Sequence, residues 1–281
     1  MKNRIFPVLA LIAMAVVFSS WYPVMNRYYL PQPDGWDEYD LVDGVKELHI
    51  RFTDEYVPDN MAVPSFSDEM TTIDIYFSED GRIDSSLQLP TKWESKYQYV
   101  GNMQICDAYY FDELSNRYLT TYTPFGAIDE KMVFDEHGEP IYHEQYFYDL
   151  DQHFVLGYRT SSRGYCKETV TNIKYDKQGQ AIYSEHYYQY GDNPQFMDIT
   201  EQFVYDSDGR VIRRTVTDRS GSVSVSEYEY DAQGHLTAIW EDGRVTCTYT
   251  YKFDDHGNII LVRADFGNNR YETQIRTIVY Y

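Results

Sequence analysis

Apolar and aromatic residues recur at every second position along most of this chain, and each such run stops at an Asp-x-x-Gly corner. Tyr228-Glu229-Tyr230-Asp231-Ala232-Gln233-Gly234-His235-Leu236 shows the whole pattern. Related corners stand at Gly81, at Asp135 and Gly138, at Asp176 and Gly179, at Asp206 and Gly209, and at Asp254 and Gly257. Two residues before each aromatic stands Ile75, Met132, Ile173, Phe203, Tyr228 or Tyr251. A period of two puts both side chains on one face of a sheet. The corner has its own logic. An Asp side chain accepts backbone N–H groups just ahead of it, two free positions suit a type I turn, and Gly takes the positive φ of the bulge that follows. An apolar residue (Ile83, Ile141, Ile182, Val211, Leu236 or Ile259) then opens the returning strand. Each unit is therefore a β-hairpin with one buried face.

Strung together, these units predict an all-β fold: a long antiparallel meander of tandem hairpins forming a twisted or curled sheet. About 16–18 short strands are expected, and no helix beyond the N-terminal segment. Val45 to Phe52 opens the fold, and Tyr271 to Tyr281 is the last strand. Asp54 to Met70, with two prolines, reads as a loop. Tyr109 to Arg117 reads as a degenerate unit in which Asn116 replaces the turn glycine. Val223 and Val225 are out of phase with Tyr228 and Tyr230, which suggests a bulge or a strand covered on both faces.

The repeated Tyr-x-Tyr-Asp-x-x-Gly-x-Leu resembles the YD repeats of RHS proteins, best between Gly221 and Leu236 and more loosely over residues 70–266. The resemblance implies strand–turn–strand units that wind into a sheet or shell. Glycines 138, 179, 209, 234 and 257 lie 41, 30, 25 and 23 residues apart, and unequal units argue against a regular closed shell. The chain is also short for the enclosing cocoon that such proteins build around a toxin.

The N-terminus changes where this domain would work. Met1-Lys2-Asn3-Arg4 is basic, and Ile5 to Met25 carries no charge. Residues 1–25 read either as a cleaved signal peptide or as an uncleaved anchor helix long enough to span a bilayer. Residues 26–43, with two prolines, a glycine and an acidic cluster, read as a linker, and 44–281 as the β domain. Either reading expects an exported protein, periplasmic or on the cell surface, or membrane-anchored.

Lys and Arg total 24 against 45 Asp and Glu, for a formal charge of −21. Such a surface repels phosphate backbones, so nucleic acid is not an expected partner, whereas a basic protein is. Three cysteines, Cys106, Cys166 and Cys247, show no zinc-site spacing. Cys247 shares the parity of Tyr249 and Tyr251 and reads as a small core residue; Cys106 and Cys166 could form a disulfide.

No catalytic motif stands out. The seven histidines follow no metal-ligand spacing, three of them fall at the turns, and the repeated aspartates read as turn caps rather than calcium ligands. No metal, cofactor or catalytic residue is expected. The 30 tyrosines and 14 phenylalanines carry the functional hint. Tyr142, Tyr146, Tyr148, Tyr183, Tyr187 and Tyr188 fall in two neighbouring units and form a candidate aromatic binding surface, unless they only build cross-strand ladders. The expectation is a non-enzymatic exported binding or scaffold protein that contacts a protein or a carbohydrate. The alternative is an immunity-type or toxin-associated protein whose acidic surface neutralises a basic effector.

Overall fold

Every Asp-x-x-Gly corner closes the way its residues dictate. In the computed structural model, Oδ1 of Asp135, Asp176, Asp206, Asp231 and Asp254 each accepts the backbone N–H groups two and four residues on, at 2.8–3.0 Å. The turn glycine donates its N–H to the Asp carbonyl, and its φ lies between +80° and +98° at these five corners. One carboxylate oxygen thus satisfies two backbone donors that the turn leaves without strand partners. Gly234→Ala should cost about 1–2 kcal/mol, because a Cβ is penalised at positive φ. Thermal melting checks this, and an unchanged midpoint would count against the turn.

A second device recurs one strand away. The tyrosine just before the corner donates its hydroxyl to the carbonyl of an inward residue in the preceding unit: Tyr175 to Val155 at 2.5 Å, Tyr205 to Ala181 at 2.6 Å and Tyr230 to Val211 at 2.9 Å; at the Asp254 corner, where Phe253 takes that place, Tyr251 two residues earlier donates to Leu236 at 2.8 Å. Tyr148 does the same to Ile128. Phenylalanine would bury the same ring and leave that carbonyl without its donor. This accounts for part of the excess of tyrosine over phenylalanine.

The structure describes residues 39, 41, 44–56, 65–66, 71–89, 91–149, 154–162, 166–267 and 269–281. Its strands are β1 (Val45–Tyr56), β2 (Ser65–Phe66), β3 (Thr71–Phe77), β4 (Ile83–Leu89), β5 (Trp93–Val100), β6 (Met103–Tyr110), β7 (Glu113–Tyr122), β8 (Ile128–Asp135), β9 (Pro140–Tyr148) and β10 (Val155–Ser162). There follow β11 (Cys166–Tyr175), β12 (Ala181–Gln189), β13 (Phe196–Tyr205), β14 (Val211–Asp218), β15 (Val223–Tyr230), β16 (Leu236–Glu241), β17 (Arg244–Phe253), β18 (Ile259–Asp265) and β19 (Arg270–Tyr280).

From β3 to β19 each strand pairs antiparallel with the next. The meander does not stay an open twisted or curled sheet. β1 pairs with β19 along one edge, from Val45↔Tyr280 to Tyr56↔Arg270, and with β3 along the other, so eighteen strands close into a barrel. The two-residue β2 adds to the end of β1. Unequal units do not prevent closure, because extra residues lengthen strands and turns without changing which edges meet. The seam is apolar as well as hydrogen-bonded: Leu48 lies between Ile75 and Ile278, and Ile50 faces Ile73. An 18-stranded closed barrel leaves no free sheet edge.

The register sorts the side chains. Inward residues form one core over β10–β18, with Tyr158, Val170, Phe203, Tyr228, Tyr249 and Val262, and another at the seam, with Leu48, Ile50, Ile75 and Phe77. Cys247 is buried in the first core, as its parity predicts; Cys106 is buried in β6, and the Cys166 side chain lies outside the described residues. Gly157 in β10 marks a close approach, since a Cβ there would stand 2.4 Å from the Val170 carbonyl oxygen.

Other expectations need correcting. Asn116 is buried in the middle of β7, and the turn before it is Phe111-Asp112, whose φ values of +50° and +65° suit a two-residue hairpin turn. Val223 and Val225 simply face outward while Tyr228 and Tyr230 face in, and β14 pairs with β15 without a bulge. β1 reaches Tyr56, into the stretch expected as a loop. Within the expected linker, Leu41 is buried and the Tyr39 ring meets Phe77 edge-on at 6.2 Å. Among the described residues no α-helix occurs; the expected N-terminal hydrophobic helix of residues 1–25 lies outside them.

Candidate functional site

On the outer face, β9 to β12 bring polar side chains into two cross-strand rows. The register Gln145↔Arg159↔Thr169 makes one row and His143↔Ser161↔Lys167↔Gln189 the other. Direct cross-strand neighbours lie about 5 Å apart, so each row is a continuous line of donors and acceptors. With Gln195 just before β13, these eight residues line a groove of 390 Å³. Arg159 lies 5.9 Å from the centre of the Phe147 ring, and no carboxylate of the described residues pairs with Arg159 or Lys167. His143 Nε2 hydrogen-bonds Glu130 Oε1 at 2.6 Å. The groove is thus a hydrogen-bonding strip that carries two cations, Arg159 and Lys167, with one carboxylate, Glu130, at its β8 edge.

Directly behind it, on the inward face, lies a buried charged chain. His186 is 2% exposed. Its Nδ1 meets Glu168 Oε1 at 2.9 Å, and its Nε2 meets Glu201 Oε2 at 3.0 Å. Tyr188 donates its hydroxyl to Glu168 at 3.0 Å, and the Arg214 guanidinium holds the other Glu201 oxygen, with Nε at 3.0 Å. Burial disfavours the imidazolium, yet the hydrogen bonds to Glu168 and Glu201 outweigh it and raise the His186 pKa above 6.5. Burial likewise opposes ionisation of Glu201, but the His186 hydrogen bond and the Arg214 charge bring its pKa down to about 2.

Ser184 Oγ lies 3.3 Å from His186 Nε2, which with Glu168 gives a serine–histidine–carboxylate order. The geometry does not support nucleophilic catalysis. Nε2 already faces a carboxylate at shorter range, so its N–H is committed to Glu201 and it offers Ser184 no free lone pair to take the serine proton. Ser184 is also fully buried.

The comparisons with known proteins meet the repeat at its most regular part. Residues 205–239, which run from the end of β13 through β14 and β15 into β16, match the RHS Repeat family. The chain is an RHS-repeat-like protein. No curated protein matches it by sequence. Among solved structures, a porin-like protein from Bacteroides uniformis is 12% identical with a TM-score of 0.46, over 84% of this chain and 98% of that one. A porin-like protein from Bacteroides vulgatus is 12% identical with a TM-score of 0.38, over 85% of this chain and 99% of that one. The Tc holotoxin pore of Photorhabdus luminescens is 14% identical with a TM-score of 0.35 over 79% of this chain, which spans 14% of that one.

The six candidate tyrosines of this RHS-repeat-like chain do not share one surface. Tyr142, Tyr146, Tyr148 and Tyr188 face inward, and Tyr146 hydrogen-bonds Glu144 at 2.7 Å. Tyr183 and Tyr187 face outward, and both donate to Glu185, at 2.9 and 2.8 Å. Glu185 also takes the amide of Asn172 at 2.6 Å, and Lys174 lies 4.5 Å over the Tyr183 ring. The outward pair borders the polar groove, since Tyr187 continues the row of Thr169. Of the turn histidines, His256 is exposed and His235 half-buried, and both rings meet aromatic neighbours. The His235 ring lies 4.7 Å from Phe253, and that of His256 lies 4.2 Å from Tyr280.

Sequence reading missed the groove and His186. Arg159-x-Ser161 and Lys167-x-Thr169 each show period two, which puts each pair on one face, but only the register places the two pairs side by side.

Proposed function

We propose that this chain acts outside the cytoplasm as a non-enzymatic binding or scaffold barrel, taking a protein or glycan partner on its outer sheet face. The observation that supports this most is the groove over β9–β12, lined by hydrogen-bonding side chains, in which the His143 Nε2 is engaged by Glu130 rather than by the facing Ser161. The apolar run of Ile5 to Met25 supports export, whether it is removed or kept as an anchor. Outward positions in mid-strand carry charge around the ring: Arg51, Lys96, Arg213, Glu227 and Arg263 are all exposed. A lipid-facing barrel carries an apolar band there, so the proposal places this barrel in water.

The second reading keeps the barrel and changes the partner to a basic effector, and the formal charge of −21 supports it. Screening the purified protein on a glycan array separates the two, alongside co-expression with any toxic neighbour encoded beside it. Reversible retention of a glycan that is recovered unchanged is the expected result. Rescue from the toxic neighbour would favour the second reading, and release of a shortened glycan would reject the non-enzymatic assignment.

A further inference from the structure

We infer that the joined tips of the β4–β5 and β6–β7 hairpins dip into the headgroup–acyl boundary of a zwitterionic lipid bilayer, with the Phe111 ring leading. The tip is separate from the groove over β9–β12, and the binding reading above does not depend on it.

The two turns are tied to each other, because the Phe111 N–H donates to the Lys92 carbonyl at 3.4 Å. Apolar side chains cover both sides of the tip. Trp93 pairs with Tyr110 on the inward parity, their rings 4.9 Å apart, while Leu89 and Leu114 lie on the outward parity. Phe111 stands at the apex, 53% exposed and edge-on to Tyr110 at 4.6 Å. Leu89, Tyr110 and Leu114 are exposed as well.

Folding does not account for Phe111. Its φ of +50° is one that a bulky side chain rarely takes, and Gly or Asn would close the same turn with less strain. At other short corners Gly101, and Asp242 with Gly243, take the positive φ. A ring held in water by an unfavourable backbone has its partner outside the chain.

That partner is lipid rather than protein. A stable protein interface buries about 800 Å² on each side over 20–30 residues. The tip offers five large apolar or aromatic side chains on two turns, and a protein face would cover only one of its two sides. A bilayer surrounds an inserted tip and needs no matching shape. Trp and Tyr prefer that boundary, and Lys92, whose Nζ lies 5.6 Å from the centre of the Phe111 ring, can lift its ammonium to the headgroups while its stem follows the ring.

Charge selects the lipid. Lys92 and Lys96 stand against Glu94, Asp112 and Glu113, and the whole chain carries −21, so anionic lipid is disfavoured. The exposed Asp112 and Glu113 keep the insertion shallow, and the charged barrel wall stays in water. The length of chain outside the barrel permits this pose. Tyr39 meets Phe77 at the far end of β3. Were the apolar run kept as an anchor ending at Met25, residues 26–38 would span up to about 45 Å, against about 33 Å for a ten-residue strand, so the tip reaches the same bilayer.

The test places an NBD label on the full chain at Thr91→Cys, in the tip, and in a second sample at Ser207→Cys, in the Asp206 corner at the other end of the barrel; both residues are exposed. Cys106 and Cys247 are buried, and the parent chain gives the labelling background. Phosphatidylcholine vesicles with brominated acyl chains should quench the tip label and spare the corner label, whether or not the apolar run also holds the chain to the vesicle. High salt should leave the quenching in place, and added phosphatidylglycerol should not raise it. Phe111→Asn should cut the tip quenching about tenfold, since burying a phenyl ring is worth that or more in the insertion equilibrium, and should leave the melting temperature unchanged or raised. An unquenched tip, equal quenching of both labels, quenching only with phosphatidylglycerol present, or an asparagine variant that keeps it would overturn the inference. A dimer that Phe111→Asn dissolves, with no quenching, would overturn it too and assign the tip to a second copy.

Discussion

Replacing His186 with leucine should destabilise the barrel by about 3–5 kcal/mol, the cost of removing one partner from a buried ionic group. The imidazolium stands between Glu168 and Glu201, and leucine would leave two carboxylates facing each other across an apolar side chain. Arg214 still serves Glu201 and Tyr188 still serves Glu168, so the chain is weakened without being abolished. His186→Gln, which keeps one donor, should cost less. Urea unfolding at pH 6 measures both, and a loss below about 1 kcal/mol for leucine would mean that water already satisfies the carboxylates.

The same chain sets the pH range of stability, and the two groups act at opposite ends. Glu201 has its pKa lowered from 4.5 to about 2, so its contribution is complete above 4.5 and fades as pH falls from there. His186 has its pKa raised above 6.5, so its contribution is complete below 6.5 and fades as pH rises through that elevated value. The plateau therefore lies between about 4.5 and 6.5. The leucine variant should lose the alkaline decline and keep an acid one.

What could be read along the chain was whatever a few neighbouring residues determine. The corner at Asp231 needs only Asp231, Gly234 and the backbone between them, and its geometry follows from their spacing. The pairing of β1 with β19 joins the two ends of the barrel domain, and no local pattern in Val45–Tyr56 distinguishes a seam strand from an edge strand. His186 was hidden for a related reason. Tyr183, Tyr187 and Tyr188 dominate its strand, and the acidic partners that make it a buried cation come from β11 and β13. Parity assigns Ser184 and His186 to one face, but only the register supplies Glu168 and Glu201.

Closure of the ring can be tested on the backbone alone. Arg51→Pro should cost about 3 kcal/mol or more, because proline removes a ladder hydrogen bond from a strand paired on both sides. Arg51 pairs with Ile275 of β19 and with Thr72 of β3, and its side chain is exposed, so the substitution removes no core packing. Arg51→Ala controls for the lost charge and should shift stability by no more than about 0.5 kcal/mol. In an open sheet β1 would be the terminal strand, and edge strands tolerate proline where the N–H faces solvent. Proline at His49, two residues away, repeats the test on the same seam. Backbone groups of successive residues in a strand alternate in direction, so Arg51 and a residue of opposite parity on β1 probe different partners, and His49 shares the parity of Arg51 while Ile50 does not. Arg51→Pro and His49→Pro should therefore weaken the same seam, and both should lower the midpoint of chemical unfolding in a closed barrel. Tolerance of both prolines, with the core of Leu48 and Ile50 still formed, would mean that one side of β1 is unpaired in solution.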